Sequence, residues 1–357
     1  MSRQRNILLK IPAVIYGWGV GLRNFAFDVG ILKSEKPSIP TICVGNLSVG
    51  GTGKTPHIEL LIRLLRPHYK VAVLSRGYGR VGKEPLIAHP GSTATEIGDE
   101  PAQIMRKYPD LLMLIDGDRR RSIDTLEKLP AEDRPDVILM DDGFQHRYVK
   151  PAYSILLTPY DHPFTRDALL PYGNLREPAV GKIRADSVIV TGTPRGARPI
   201  DLRLIRGELN LLDHQDIYFS RVAYNAPEPL FDHSDITPDR NTPLYVIAGI
   251  ANPDAFLDHV QTVYDNVVEV ETFADHYMFR MADIQHMCEK LEADPSLVLL
   301  CTEKDSMRIL THSGIIPTKL KERFFRLPIH IDMSPETIRH ILAHAHSAIE
   351  NNGLGFR

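Results

Sequence analysis

The chain has 357 residues, of which 43% are hydrophobic and 24% charged, and its formal net charge is −3 at pH 7. This composition is typical of a soluble globular protein of about two domains with a hydrophobic core. Cys43, Cys288 and Cys301 are too few and too scattered for a disulfide framework or a metal cluster, which indicates a reducing compartment. We predict no nucleic-acid partner and no protein partner.

Residues 1–36 combine positive charge with an apolar helical stripe. The basic residues are Arg3, Arg5, Lys10, Arg23, Lys33 and Lys36, against the acidic Asp28 and Glu35. At about 100° per residue, one arc contains Val14, Trp18, Leu22, Phe25, Val29 and Leu32. Arg23 and Asp28 disfavour a membrane span, because a charge at the bilayer centre costs at least ~2.5 kcal/mol. The pattern predicts an amphipathic helix lying on a membrane surface, and a helix packed on the protein's own core is the alternative.

The stretch SVGGTGKT, residues 48–55, differs from the phosphate-loop pattern only at its first position, where Ser48 replaces glycine. An apolar strand precedes it at residues 39–44, and Pro56 fits the first turn of a helix that follows. This context predicts that backbone N–H groups bind phosphate there, and a glycine-rich turn without a ligand is the alternative. The predicted nucleotide-binding residues are Ser48, Val49, Gly50, Gly51, Thr52, Gly53, Lys54 and Thr55.

Polar residues follow the next two predicted strands. The strand at residues 70–75 ends in a turn with Arg76 and Tyr78, which suits either a ligand-binding edge or a plain surface turn. Asp99 and Glu100 open a helix, and we interpret both as structural. The strand at residues 111–115 ends at Asp116 and Asp118, which form either a solvated turn or a base beside bound phosphate.

A fourth apolar strand, residues 137–140, runs into Asp141 and Asp142. Carboxylates at a strand end that faces a phosphate loop bind Mg²⁺ directly or through water, as in the Walker B arrangement. Gln145 and His146 follow immediately. Arg176 lies in a turn-rich loop, where it either stabilises phosphate charge or forms a surface ion pair with a glutamate.

A second α/β segment begins after the Pro- and Asp-rich stretch 226–243. Its predicted strands are 244–250, 267–270, 297–301 and 324–329, and its predicted helices are 253–263, 281–292 and 335–349. The sequence thus predicts an α/β fold: a mainly parallel sheet of the P-loop NTPase type flanked by helices, an N-terminal amphipathic helix and a second, smaller α/β domain. The predicted ranges are 1–36 for the membrane-associating helix, 37–235 for the kinase core and 236–357 for the C-terminal domain.

The motifs GNLSVGGTGKTP, SRGYGR, DEP, MDDGFQHR, LPYGNLREP, GIANP, FADH and TEKD occur in this order between about residues 12 and 305. In that order they resemble the tetraacyldisaccharide 4′-kinase family, whose phosphate loop also lacks the first glycine. The resemblance implies transfer of the γ-phosphate of ATP to the 4′-hydroxyl of a tetraacylated disaccharide 1-phosphate. It also implies a peripheral position at the cytoplasmic face of the bacterial inner membrane, with the membrane-embedded glycolipid and the anionic membrane surface as partners.

The same resemblance implies the roles of individual residues. Lys54 would bind the β- and γ-phosphates, and Thr55, Asp141 and Asp142 would bind Mg²⁺. The family's base is an aspartate after the strand before Walker B, paired with a histidine of the second domain. The matching residues are Asp118 and His276, with Asp116 as the alternative, and domain closure would bring the pair together. The residues expected near the phosphates or the disaccharide are Arg76, Tyr78, Gln145, His146 and Arg176.

Two other functions remain open. A partitioning-type, membrane-associated nucleotide-switch ATPase also has a G-G-x-G-K-T loop, but its signature lysine before the glycines is Val49 here. A kinase for a soluble metabolite, with the N-terminal helix packed on the fold, is the other alternative.

Overall fold

The computed structural model describes residues 7–231 and 234–352, which form two compact units. Unit 1 contains residues 7–76, 111–222 and 331–352, and unit 2 contains residues 77–110, 223–231 and 234–330. These units differ from the predicted ranges in two respects. Residues 77–110, predicted within the kinase core, belong to unit 2, and residues 331–352, predicted in the C-terminal domain, belong to unit 1. Arg3 and Arg5 of the predicted basic segment lie outside the described residues.

Helices and strands alternate along most of the chain. The α-helices are α1 Lys10–Asp28, α2 Lys54–Leu65, α3 Ala94–Ile97, α4 Asp99–Lys107, α5 Arg119–Glu127, α6 Pro199–Leu209, α7 Asp254–Val263, α8 Met281–Ala293, α9 Glu303–Leu310, α10 Thr318–Lys321 and α11 Pro335–Glu350. The strands are β1 Thr41–Asn46, β2 Val71–Ser75, β3 Leu86–Ile87, β4 Leu112–Ile115, β5 Val137–Asp141, β6 Tyr153–Pro159, β7 Ser187–Thr191, β8 Asp216–Phe219, β9 Arg221–Tyr224, β10 Glu228–Pro229, β11 Leu244–Ala248, β12 Val267–Thr272, β13 Val298–Thr302, β14 Phe324–Leu327 and β15 Ile329–Asp332. Within residues 7–231 and 234–352 there are also three short 3₁₀ helices, Ile7–Leu9, Phe164–Arg166 and Ala179–Arg184.

Seven strands of unit 1 form a parallel sheet in the order β4-β2-β5-β1-β6-β7-β8. Every residue of β1, β2 and β5 is buried, because both faces of a parallel sheet are covered by helices. In the central pair, Val44 of β1 is in register with Asp141 of β5. The ends of these two strands therefore lie at the same edge of the sheet, which places the loop after β1 beside the two aspartates.

Unit 2 has its own sheet, in the order β10-β14-β13-β11-β12. Its neighbours are parallel except for the pair β10 and β14. β11, β13 and β14 are buried throughout, whereas β12 alternates between half-buried and exposed residues, as an edge strand does. The predicted α/β class, with a mainly parallel sheet and a second, smaller α/β unit, is confirmed.

Helix α1 leaves much of its apolar surface exposed. Trp18 is 75% exposed and Leu22 71% exposed, and Val14 and Phe25 are also exposed, whereas Phe27 is buried and packs edge-on against Tyr148. The helix ends at Asp28, so Val29 and Leu32 of the predicted stripe lie beyond it. Among the helices within the described residues, none is long and apolar enough to cross a membrane.

Candidate active site

The phosphate loop connects the buried strand β1 to the N-terminus of α2. Gly50 has a φ of 110° and Gly53 a φ of 80°, conformations that side chains with a Cβ rarely adopt. Ser48 has no such backbone conformation; it forms an isolated antiparallel bridge with Leu175, and the Val49 N–H donates to the Asn174 carbonyl at 2.8 Å. The first position of this loop therefore does not require glycine, because its backbone is extended and paired.

Two side chains fix the loop from within unit 1. The Asn46 Nδ2 donates to the Thr52 Oγ1 at 2.8 Å, and both residues are buried. Gln145 Nε2 donates to the Asn46 carbonyl at 2.7 Å and to Glu177 Oε1 at 3.0 Å. Gln145, predicted near the phosphates, thus contacts the end of β1 and the loop that carries Arg176. Asn46 and Glu177 lie within the motifs GNLSVGGTGKTP and LPYGNLREP, but neither was predicted as a site residue.

Lys54 and Arg176 both lie against Asp142. The Lys54 Nζ is 3.8 Å from Asp142 Oδ1, and Arg176 NH1 donates to both carboxylate oxygens of Asp142 at 3.0 and 2.9 Å. Burial raises the pKa of Asp142, but the charges of Lys54, Arg176 and Arg119 outweigh it and hold this pKa below the usual aspartate value. The structure therefore places two predicted site residues, Lys54 and Arg176, around the ionised carboxylate of a third, Asp142, and Gln145 Oε1 accepts from Arg176 NH1 at 3.4 Å.

Asp141 is the last residue of β5 and is buried. Its Oδ2 accepts a hydrogen bond from Ser75 Oγ at 3.3 Å, and its carbonyl accepts one from Arg119 NH2 at 3.0 Å. Across the described part of the chain, no three His, Cys, Asp or Glu side chains form a metal-binding group. Two carboxylates and the Thr55 hydroxyl are nevertheless the hard oxygen donors that suit Mg²⁺, which takes its remaining ligands from phosphates and water.

Asp118 is the N-cap of α5. Its carboxylate accepts from the Arg120 N–H at 3.1 Å and from the Arg120 guanidinium at 3.1 and 3.2 Å, and these bonds lower its pKa. His146 Nε2 lies 3.8 Å from Asp118 Oδ1. Burial, then the charge of Arg119, lowers the pKa of His146 to about 4, so this imidazole is neutral at pH 7.

Asp116, the alternative base, is buried and fully engaged. It accepts two hydrogen bonds from Arg121, at 2.8 and 2.7 Å, one from Ser122 at 3.3 Å and one from the Asp118 N–H at 3.0 Å. Burial raises the pKa of Asp116, but these partners lower it overall. Such a carboxylate fixes the turn between β4 and α5, which is a structural role.

His276 belongs to unit 2, and its carboxylate partner there is Asp99. The His276 Nδ1 lies 3.0 Å from Asp99 Oδ2, and His276 Nε2 lies 3.3 Å from Lys304 Nζ. His276 has a φ of 58°, and the predicted site residue Tyr78 places its ring centroid 5.0 Å from the imidazole. Asp118 belongs to unit 1, so the pairing of Asp118 with His276 stays a prediction. Arg76, at the end of β2, is exposed.

Asp99 also accepts hydrogen bonds from Arg308, at 2.6 and 3.1 Å. Arg308 is almost completely buried and donates to Asp305 Oδ1 at 3.0 Å and to the Gly249 carbonyl at 2.9 Å. Burial raises the pKa of Asp99, but the bond with His276 and the cations Lys304 and Arg308 hold it well below its usual range. The sequence interpretation of Asp99 as purely structural missed this pairing with His276.

The chain matches known proteins over nearly its whole length. A family model described as tetraacyldisaccharide-1-P 4′-kinase matches residues 5–346. A tetraacyldisaccharide 4′-kinase of Porphyromonas gingivalis strain W83 is 45% identical over 333 residues, which cover 92% of this chain and 93% of that protein. A tetraacyldisaccharide 4′-kinase of Bacteroides thetaiotaomicron is 41% identical over 361 residues, which cover 96% of this chain and 94% of that protein.

A solved structure is also similar. The crystal structure described as the "apo" form of LpxK from Aquifex aeolicus in complex with ATP has a TM-score of 0.72 and 26% sequence identity. The match covers 94% of this chain and 97% of that chain.

Proposed function

This chain belongs to the tetraacyldisaccharide-1-P 4′-kinase family, and from that premise we propose that it transfers the γ-phosphate of ATP to the 4′-hydroxyl of a tetraacyldisaccharide 1-phosphate. It is an ATP-dependent kinase of a lipid A precursor. The observation that carries the detailed proposal is the cluster of Lys54 and Arg176 around Asp142, beside the phosphate loop. Two cations and two strand-end carboxylates supply the charges that phosphoryl transfer requires.

In the proposed reaction, the backbone N–H groups of residues 50–55 bind the nucleotide phosphates. Lys54 turns from Asp142 to the β- and γ-phosphates, and Arg176 stabilises charge on the transferred group. Thr55, Asp141 and Asp142 would hold Mg²⁺, which compensates phosphate charge when bound. Gln145 keeps the end of β1 in place through the Asn46 carbonyl.

For the proton of the attacking hydroxyl, we favour His276 with Asp99 over the Asp118 implied by the family resemblance. A carboxylate oxygen can only accept, so Asp99 Oδ2 fixes the proton of His276 on Nδ1 and leaves Nε2 as the acceptor. Asp118 is instead engaged as a helix cap and by Arg120. In this role Asp99 orients the imidazole. Nε2, which accepts from Lys304 Nζ at 3.3 Å, would exchange that bond for the substrate hydroxyl and take its proton as the oxygen attacks phosphorus.

The substrate carries acyl chains, and the exposed apolar side chains of α1 suit a lipid surface. We place the enzyme peripherally on the anionic cytoplasmic face of the bacterial inner membrane, with α1 lying in the interface. The support is the exposed stripe with Trp18 and Leu22 on a helix that begins with the exposed Lys10.

The test is transfer of radiolabel from γ-labelled ATP to tetraacyldisaccharide 1-phosphate in mixed micelles. We expect Lys54→Ala and Asp142→Ala to lose at least about 100-fold in kcat, because each removes charge next to the transferred group. The kcat of Asp99→Asn and of His276→Ala should fall by a similar factor, whereas the kcat of Asp118→Ala should stay within a few-fold of the wild-type value. Asp124→Ala, on the same helix α5 in an exposed pair with Lys128, is the control.

Three results would contradict the proposal. Loss of activity in Asp118→Ala with full activity in Asp99→Asn would return the base to Asp118. ATP hydrolysis without lipid labelling would favour the partitioning-type ATPase. Full activity on a soluble sugar after deletion of residues 1–33 would favour the soluble-metabolite kinase.

A further inference from the structure

His57, in the first turn of α2, is a buried histidine with both ring nitrogens engaged. It is 2% exposed, although it follows directly on Lys54, Thr55 and Pro56 of the phosphate loop. Its Nδ1 lies 2.6 Å from the Gly53 carbonyl oxygen, and its Nε2 lies 3.0 Å from Ser220 Oγ. Neither contact belongs to the motif pattern of the loop.

The contact with Gly53 places a proton on Nδ1 of His57. A carbonyl oxygen can only accept, so Nδ1 carries the proton and donates it to Gly53. Nε2 is paired with the Ser220 hydroxyl, which can act as donor or acceptor. The imidazole therefore links the Ser220 hydroxyl to the Gly53 carbonyl.

Ser220, the partner of His57 Nε2, is itself held in a fixed position. It lies between β8 and β9 and is 1% exposed. Its N–H donates to the Val190 carbonyl at 2.9 Å, and its own carbonyl accepts from the Thr193 N–H at 2.9 Å. Because both backbone groups are bonded to residues at the end of β7, the hydroxyl position is set by the sheet of unit 1.

The bond to Gly53 has a consequence for the next residue. The peptide group between Gly53 and Lys54 is planar and trans, so its C=O and N–H point in opposite directions. Gly53 has a φ of 80° and no Cβ, so sterics alone restrict the rotation of this peptide weakly. The backbone bond from the His57 N–H to the same carbonyl is long, at 3.3 Å, whereas the side-chain bond is 2.6 Å.

We propose that His57 is a positioning residue of the phosphate loop, which holds the Gly53 carbonyl toward α2 and thereby aims the Lys54 N–H at the bound nucleotide phosphate. Ser220 holds the imidazole in that orientation. An inverted peptide would instead point a carbonyl oxygen at the anion, which weakens phosphate binding by repulsion. The inference rests on the proposed function only in taking residues 48–55 as the phosphate site.

The test measures the Kd of a non-hydrolysable ATP analogue with Mg²⁺ by calorimetry on the full chain, together with KM for ATP and kcat. His57→Asn keeps an amide N–H near the Nδ1 position, whereas His57→Gln places its amide near Nε2 and loses the bond to Gly53. We expect His57→Ala and His57→Gln to weaken nucleotide binding about 10-fold, and Ser220→Ala about 3-fold. His57→Asn should stay within about 2-fold of the wild type, and kcat should change less than KM throughout.

Leu65→Ala is the control, because Leu65 is buried at the other end of α2 and does not touch the loop. It should lower the unfolding temperature and leave the Kd unchanged. Equal Kd values for wild type, His57→Ala and His57→Asn would overturn the proposal, as would equal weakening in His57→Asn and His57→Ala. The ¹⁵N shifts of the His57 ring provide an independent check, since an Nδ1 without a proton would also overturn the proposal. If Lys54→Ala binds the analogue as tightly as wild type, the loop assignment itself fails, which is a different result.

Discussion

Arg308 is a buried arginine whose guanidinium joins two carboxylates of unit 2, Asp99 and Asp305. Asp305 accepts further hydrogen bonds from the Gly249 N–H at 2.8 Å and from Thr302 Oγ1 at 2.6 Å. Asp305 and the Gly249 carbonyl fix Arg308, which therefore holds one orientation of Asp99, and Asp99 in turn holds His276. Removing the guanidinium leaves two buried carboxylates with one cation fewer, which is costly in a region of low dielectric.

We expect Arg308→Met to destabilise the protein by about 3–5 kcal/mol at pH 7, measured by urea unfolding. The pKa of Asp99 is depressed in the folded chain, so the stability it contributes is present above the ordinary aspartate pKa and is lost as pH falls below it. In Arg308→Met the pKa of Asp99 rises toward its ordinary value. The difference in the free energy of unfolding between wild type and Arg308→Met should therefore become smaller as pH falls from 5 toward 3.

A matched comparison is Arg323→Met, which also removes a buried arginine of unit 2, but one that donates to the backbone carbonyls of Asp294 and Leu297. The effect of Arg323→Met on the free energy of unfolding should depend less on pH in this window, because the charge of Arg323 lowers the pKa of Asp294 less than the hydrogen bonds from Ser296 do. If wild type and Arg308→Met differed in the free energy of unfolding by the same amount from pH 3 to 7, the proposed contribution of Asp99 to stability would be contradicted.

Lys54, Asp142, Gln145 and Arg176 were predicted as site residues because each follows a recognisable strand or loop signal, and the structure places them close together in unit 1. The pairing of His276 was not predictable in the same way. Asp99 reads as an ordinary helix-initiating acid, and its contacts come from Arg308 and His276, which are far away in sequence. Long-range contacts of this kind depend on the fold, and no local pattern encodes them.

At the scale of elements, α1 has two different faces. Its polar face contacts the site loops: Tyr16 Oη donates to the Arg176 carbonyl at 2.7 Å, Arg23 to the Gln145 carbonyl at 3.0 Å and Asn24 to Glu177 Oε2 at 3.3 Å. Its other face exposes Trp18 and Leu22. The proposed membrane contact would therefore lie directly behind residues that hold Arg176.

We expect Trp18→Ser combined with Leu22→Ser to lower binding to vesicles that contain anionic lipid by at least about 10-fold, because burial of each side chain contributes about 1.5–3 kcal/mol. Vesicle sedimentation measures this directly. Val81→Ser is the control, since Val81 is 76% exposed in unit 2 and lies outside α1. Unchanged sedimentation of the double variant would remove α1 from the membrane contact, and nucleotide affinity should stay constant in all three proteins.

The apolar period of α1 was visible in the sequence, but its end was not. Val29 and Leu32 continue the 100° stripe, yet the helix ends at Asp28, where the Val29 N–H donates to the Phe25 carbonyl. Gly30 follows with a φ of 79°, a backbone conformation that ends helices. A helical period alone therefore overestimates the length of the element by one turn.

At the scale of the whole molecule, the assignment of chain segments to the two units differs most from the prediction. The strands and helices that were predicted lie near their observed positions, since buried apolar runs and helical spacing are local signals, whereas β6, β7, β8 and α6 were not predicted. Assignment to a unit depends instead on which surfaces pack together. Helix α11 belongs to unit 1, where His344 Nε2 lies 3.0 Å from Asp216 and Tyr69 Oη lies 2.6 Å from His346 Nδ1.

We expect Ile341→Ala, in the buried face of α11, to lower stability by about 2–5 kcal/mol, because it leaves a cavity. Amide hydrogen exchange should show the loss of protection in unit 1, in strands such as β6, while the core of unit 2 keeps its protection. His340 is the exposed neighbour of Ile341 on the same helix, and His340→Ala should change neither the stability nor the amide protection. Loss of protection confined to unit 2 would contradict the membership of α11 in unit 1.

The three separate stretches of unit 1 have a consequence for protein synthesis. A ribosome releases the chain from its N-terminus onward, so β1, β2 and the phosphate loop emerge early, and residues 77–110 and 223–330 emerge before α11. Unit 2 has all its residues once His330 has left the exit tunnel, whereas unit 1 still lacks the helix that carries Ile341 and Ala345. Unit 1, although begun first, is therefore completed last, and until then the apolar surface that α11 covers is exposed to chaperones and proteases.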